Sequence, residues 1–155
     1  MIEVSQLKEI ESLKDVSEEA LTFLASALQK RTYQDKEPVF NEGTAGGDLY
    51  LVGGGSVKIT KRAKEGEAQS LAVVPTGQFV GIMTFLTGGS HSANTVAQGD
   101  CVLYLLDRGD FDRFVEQFPA DAVKIMNLFI NRLVDSLRSM NERYIDMVNY
   151  MWRWR

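Results

Sequence analysis

One cysteine and one histidine in 155 residues each close off a class of function. With Cys101 alone, no disulfide can form within the chain. A metal site of three or four protein ligands cannot be gathered from His91 and Cys101. No nucleophile has a partner base, so no enzyme is expected and no catalytic or metal-ligating set is assigned. Positive charge is also short. The chain has 17 Lys and Arg against 21 Asp and Glu, a formal charge of −4, whereas nucleic-acid binding needs clustered cations in excess. The longest apolar candidate, 123–137, is broken by Asn127, Asn131, Arg132 and Asp135 and falls short of the roughly 18 to 20 residues that cross a bilayer. The opening MIEVSQLKEI has neither the basic start nor the apolar run of a secretory signal. A cytoplasmic protein that contacts neither membrane nor nucleic acid is expected.

What is present is enough for one core. A hydrophobic content of 45% with 25% charged residues suits a single globular domain over 1–155. Ser17 can cap a helix, Glu18 and Glu19 favour its positive end, and Val16 can staple onto Leu21. Leu21, Leu24, Ala25 and Leu28 then share one face, which predicts an N-terminal helix over 17–30. Across 31–107 the period becomes two: Val39 and Phe40, Leu49 and Leu51, Val57 and Ile59, then Thr95, Ala97, Val102, Tyr104 and Leu106, set between glycine clusters. The expected fold is mainly β with flanking helices, a double-stranded β-helix or jelly roll, with 62–69 as a solvated hairpin tip. Cys101 reads as a small buried residue of this region.

Helical spacing returns over 110–155. Phe111, Phe114, Val115 and Phe118 form a short apolar segment that stops at Pro119, and no Gly or Pro follows, leaving room for one helix of about nine turns. Met126, Ile130, Leu133, Leu137, Met140, Tyr144, Met147 and Met151 follow at alternating steps of four and three, the seam of a left-handed coiled coil. A parallel homodimer through this helix is expected.

Two stretches carry a family resemblance: EPVFNEGTAGGDLYLVGGGSVKI at 37–59 and GQFVGIMTFLTGGSHSANTVA at 77–97. Together they resemble the cyclic-nucleotide-binding domain of the catabolite-activator type, over roughly 21–144. Gly43, Gly46 or Gly47, Asp48, Leu49, Tyr50, Val52, Gly55 and Val57 match the turn and strand framework of that family. Its phosphate-binding cassette reads Phe or Val, Gly, Glu, any residue, Ala, Leu, Leu, a short loop, then Arg, Ser or Thr, Ala. Here the same positions hold Val80, Gly81, Ile82, Met83, Thr84, Phe85 and Leu86, the loop 87–90, then His91, Ser92 and Ala93. The alternation of His91, Ala93, Thr95 and Ala97 puts His91 at the arginine position, and a loop one residue longer would put Ser92 there.

The resemblance implies a phosphate gripped by that arginine and a ribose hydroxyl accepted by the glutamate. Ile82 accepts nothing, and a histidine with an ordinary pKa near 6.5 lacks the permanent charge of a guanidinium. Losing both contacts is expected to weaken a cyclic nucleotide by about 3 to 6 kcal/mol. Gly81 still permits close backbone approach, and Ser92 and Ala93 match positions where a hydroxyl and an N–H contact the phosphate. Counting from Pro119, Ser136 falls where such proteins set a hydroxyl of the long helix against the base, although an exposed serine beside the seam fits it equally. Activator-type proteins append a helix-turn-helix, which a chain ending at Arg155 is expected to lack.

Two functions compete. The first is a non-enzymatic, ligand-sensing regulatory module that binds cyclic AMP or cyclic GMP weakly or not at all, or takes another small anionic or more apolar ligand, with no cofactor. The alternative is a protein-interaction module with a vestigial pocket, meeting an unidentified effector protein through the dimer helix and the terminal Trp152, Arg153, Trp154 and Arg155.

Overall fold

Three successive glycines, Gly53 to Gly55, bend the longest strand and so set the shape of the sheet. The computed structural model describes residues 2–62 and 68–153. In it β3 (Leu49–Arg62) lies antiparallel to β6 (Asn94–Leu106), with Leu49 opposite Leu106 in one half and Thr60 opposite Asn94 in the other. The register shifts between the halves, at Val52 to Ser56. Gly55 has φ +77°, and a Cβ on Gly53 would lie 2.3 Å from the Tyr104 ring, so only glycine lets the strand turn there.

The remaining strands add to this pair. β1 (Gln29–Tyr33) and β2 (Pro38–Phe40) pair with β6, while β4 (Ala68–Pro75) and β5 (Phe79–Val80) pair with β3, all antiparallel. The path β1-β6-β3-β4 leaves β4 at an edge. The fold is mainly antiparallel β with flanking helices and a long C-terminal helix, as the alternation predicts. β3 and β4 flank the expected hairpin tip, whose residues 63–67 lie outside the described residues, as do Trp154 and Arg155.

The helices close one side. α1 (Val4–Lys8) and a 3-10 turn (Glu11–Leu13) precede α2 (Glu18–Ala27). Sequence periodicity assigns nothing before Val16, yet Leu7, Ile10 and Leu13 are buried there, because the run is too short and mixed to show a period. Ser17 caps α2, its hydroxyl accepting from the Ala20 N–H at 3.3 Å. The helix closes at Ala27 rather than reaching 30, since Leu28 turns extended and Gln29 pairs with Leu105. α3 (Ile82–Thr87) follows β5, and α4 (Arg108–Gln117) follows β6. Pro119 opens α5 (Pro119–Arg153), 35 residues or roughly 52 Å long.

Buried Asp121, in the first turn of α5, ties that helix to α2. It accepts from Ser17 N–H at 3.1 Å, Ser17 Oγ at 2.6 Å and Lys124 Nζ at 2.7 Å. Burial disfavours its charge, but the hydrogen bonds from Lys124 and Ser17 outweigh it and hold the carboxyl below its ordinary range. Two cores result. One joins the helices to Leu49, Leu51, Phe79, Tyr104 and Leu106, and the other fills the sheet with Val52, Val57, Val74, Ala97 and Leu103. Among the described residues no helix is long and apolar enough to cross a membrane.

Candidate functional site

The cassette begins where β5 stops. Gly81 takes φ +81° and ψ 9°, and a Cβ there would approach the Asp48 carbonyl oxygen at 3.0 Å, so the turn into α3 requires glycine. The Gly81 carbonyl accepts from the Phe85 N–H at 2.9 Å and from Thr84 Oγ1 at 3.2 Å. The first-turn amides of α3 have no acceptor one turn back within the helix.

Beyond α3 the chain is laced to the glycine loop between β2 and β3. Gly43 N–H donates to the His91 carbonyl at 2.8 Å, His91 N–H to Thr44 at 2.9 Å, and Gly46 N–H to Gly89 at 3.0 Å. Glu42 N–H donates to Asn94 Oδ1 at 2.8 Å, and Lys61 Nζ reaches both the Ser92 carbonyl at 3.0 Å and Glu42 at 3.3 Å. These contacts hold the backbone around residue 91 from both sides.

His91 itself points into the fold, with only 7% of its surface exposed. Its ring stacks on Phe40 at 3.8 Å and 13°, and Nδ1 lies 3.1 Å from Thr84 Oγ1. The Thr84 hydroxyl also lies 3.2 Å from the Gly81 carbonyl oxygen; it donates there and accepts from Nδ1–H in one imidazole tautomer, and donates to Nδ1 in the other. Burial lowers the pKa of the imidazole from its ordinary value, partly offset by Asp48, so the ring is neutral at neutral pH. Gly46 makes room for it: a Cβ there would lie 2.8 Å from the ring. A cavity of about 440 Å³ opens beside the ring, bordered by Phe40, Gly46, Asp48 and Tyr50. An anion entering it would meet Asp48 and no cation among its lining residues.

The other sequence-derived residues scatter. Ile82 is buried in the helix-side core with Phe79 and Phe85, Val80 in the sheet core, and Met83 is exposed. Ser92 is exposed and Ala93 half-buried. Ile82 is not among the residues that border the cavity beside His91. Ser136 is exposed, its hydroxyl donating to the Arg132 carbonyl at 3.0 Å. Along α5, Met126, Ile130, Leu137, Met140, Tyr144, Met147 and Met151 are exposed, and Leu133 packs partly on the helix-side core.

Four residues escape sequence reading. Thr84 and Phe40 hold His91, and nothing in their spacing marks them. Thr95 shares the sheet face of buried Ala97 and is itself 1% exposed, with a hydroxyl that has no partner among the described residues. Arg132 is half-buried one turn beyond Phe129, and an arginine continuing a buried stripe could have been noticed.

Residues 30–118 match the model of the cyclic nucleotide-binding domain. The chain is 32% identical over 115 residues to the cyclic AMP receptor protein of Thermus thermophilus, a match covering 74% of this chain and 53% of that protein. Among solved structures, the catabolite activator protein of Thermus thermophilus superposes with a TM-score of 0.72 at 27% identity, covering 90% of this chain and 63% of the other. A cyclic nucleotide-binding domain from Methylobacillus flagellatus gives 0.78 at 23% identity, covering 93% and 81%, a likeness of fold alone. The chain spans about half the length of the curated receptor it matches. With more than half of its residues inside the family model, the chain belongs to the cyclic nucleotide-binding domain family.

Proposed function

We propose that this domain is a non-enzymatic, ligand-sensing regulatory module of the cytoplasm whose cassette grips cyclic AMP or cyclic GMP weakly or not at all. The observation that supports the reading is His91, which the resemblance puts at the arginine position unless the loop is one residue longer and puts Ser92 there: its ring is buried, stacked on Phe40 and 3.1 Å from Thr84 Oγ1, and burial lowers its pKa from the ordinary value. Such a ring offers neither permanent charge nor a fork of donors. Ile82, turned into the helix-side core, offers no acceptor for a ribose hydroxyl. The similarity to a cyclic AMP receptor protein supports a regulatory role rather than catalysis.

Isothermal titration with each nucleotide tests this. Saturation is expected only above about 0.1 mM, two or more decades weaker than a cassette with both charged contacts. Micromolar binding of either would overturn it.

A second reading is favoured by the exposed stripe of α5. Ile130, Leu137, Met140, Tyr144, Met147 and Met151 leave 52% to 60% of their surfaces exposed. Heptad spacing of this kind suits a second copy of the helix in a homodimer, and a protein-interaction module could act through it with the pocket idle. Silence with both nucleotides at millimolar concentration would leave ligand sensing only in its non-nucleotide version, beside that second reading.

A further inference from the structure

The cavity of about 440 Å³ beside His91 is bordered by polar groups that the fold leaves without partners. Asp48, at the end of the loop between β2 and β3, is half-buried, and its carboxylate makes no hydrogen bond and no ion pair among the described residues. Tyr50, two residues on in β3, is only 7% exposed, and its hydroxyl likewise has no partner among them. His91 uses Nδ1 on Thr84, while Nε2 faces Gly46 and makes no hydrogen bond among the described residues. In the tautomer whose Nδ1–H is donated to Thr84, Nε2 is an acceptor.

A hydroxyl or carboxylate drawn out of water without a partner costs free energy, and an arriving donor relieves that cost. Charge decides which donor. Asp48 is the one charged residue that borders the cavity among the described residues, and it stands within electrostatic reach of both rings. Burial, then Asp48, raise the Tyr50 hydroxyl above its ordinary pKa, with a smaller push from Tyr33 and an opposing one from Arg31, which is not a lining residue. Phe40 stacks on His91 at 3.8 Å and meets Tyr50 at 5.7 Å and 40°, so an aromatic wall adjoins the carboxylate. A cation gains from both. No group of three metal-ligating side chains gathers among the described residues, which favours an organic cation over a metal ion. A protonated primary amine carries N–H donors for each unpartnered acceptor, whereas an anion would be repelled by Asp48 and an alcohol would leave that charge unmatched.

We infer that this cavity takes the ammonium group of a small primary amine with an apolar body, with Asp48 as its counterion. Tyr50 and His91 orient the group, and Phe40 covers it. The inference rests on the ligand-sensing reading above and names the class of ligand.

Three probes of similar shape test it at neutral pH, where an alkylamine is protonated: phenethylammonium, 2-phenylethanol and 3-phenylpropanoate. His91 is the chain's one histidine, so the NMR shift of its imidazole reports binding at this cavity. Wild type and the exposed control Asp146→Asn are expected to bind phenethylammonium about tenfold more tightly than 2-phenylethanol, and Asp48→Asn to bind the two equally. A preference that survives in folded Asp48→Asn overturns the inference. Equal or tighter binding of 2-phenylethanol or 3-phenylpropanoate by wild type also overturns it, without recourse to any variant, and leaves ligand sensing standing. A His91 signal unmoved by all three up to about 10 mM overturns it as well, while the ligand-sensing reading is tested separately by cyclic AMP and cyclic GMP.

Discussion

The two ends of the cassette have kept different things. At Gly81 the positive φ and the nearby Asp48 carbonyl leave one residue type able to make the turn, so the cradle depends on backbone geometry. Ten residues later, at His91, the backbone is laced in place by Gly43 and Thr44 while the side chain has turned inward onto Phe40. A backbone conformation is fixed by what surrounds it and survives substitution of neighbouring side chains. A charge resides in one side chain and is lost with it.

The largest expected effect is at the first end. Ile82 is 5% exposed among Phe79, Phe85 and other apolar side chains, so Ile82→Glu forces a carboxylate into a core with no partner for it. Urea denaturation should show a loss of at least about 3 kcal/mol. A loss below about 1 kcal/mol would mean that residue 82 faces water or a polar pocket, and the contrast between the two ends would collapse.

This is also where sequence reading stops being sufficient. Glycine spacing and alternation identify the strands, the cassette and Pro119 as the start of α5, because those signals act through local backbone preference. The family resemblance suggests which positions Ile82 and His91 match, but neither it nor those signals say where the side chains turn. His91 turns inward because Gly46 leaves space and Phe40 and Thr84 supply contacts, and these partners lie 45, 51 and 7 residues away in the chain. β1, with four of its five residues exposed, and the N-terminal α1 are hidden for a related reason: their pairing partners, not their own periodicity, set them.

A smaller effect sharpens the second end. Gly46→Ala puts a methyl 2.8 Å from the His91 ring and 2.9 Å from Thr84 Cβ, with no backbone strain to confuse the result. The expected loss is about 1 to 3 kcal/mol, the range for overpacking. In a His91→Ala background the ring is gone, and the same methyl should cost at least about 1 kcal/mol less, a coupling read from a double-mutant cycle. Additive losses would show that His91 does not occupy the space beneath Gly46.

The smallest effect lies on β6, at the residue paired with Phe40 of β2. Thr95 is 1% exposed and its hydroxyl has no partner among the described residues, whereas the nearby His91 and Thr84 satisfy each other. Valine keeps the branched shape that a strand favours and removes the orphaned group. Deleting a buried hydroxyl that lacks a hydrogen bond relieves its desolvation cost, so Thr95→Val should stabilise the domain by about 1 kcal/mol in thermal or urea unfolding. A loss of similar size would instead mean that the hydroxyl is bonded in solution to an ordered water. The polar atoms around residue 91 would then be fully satisfied on both strands, and the domain interior behind the cassette would be wet rather than dry.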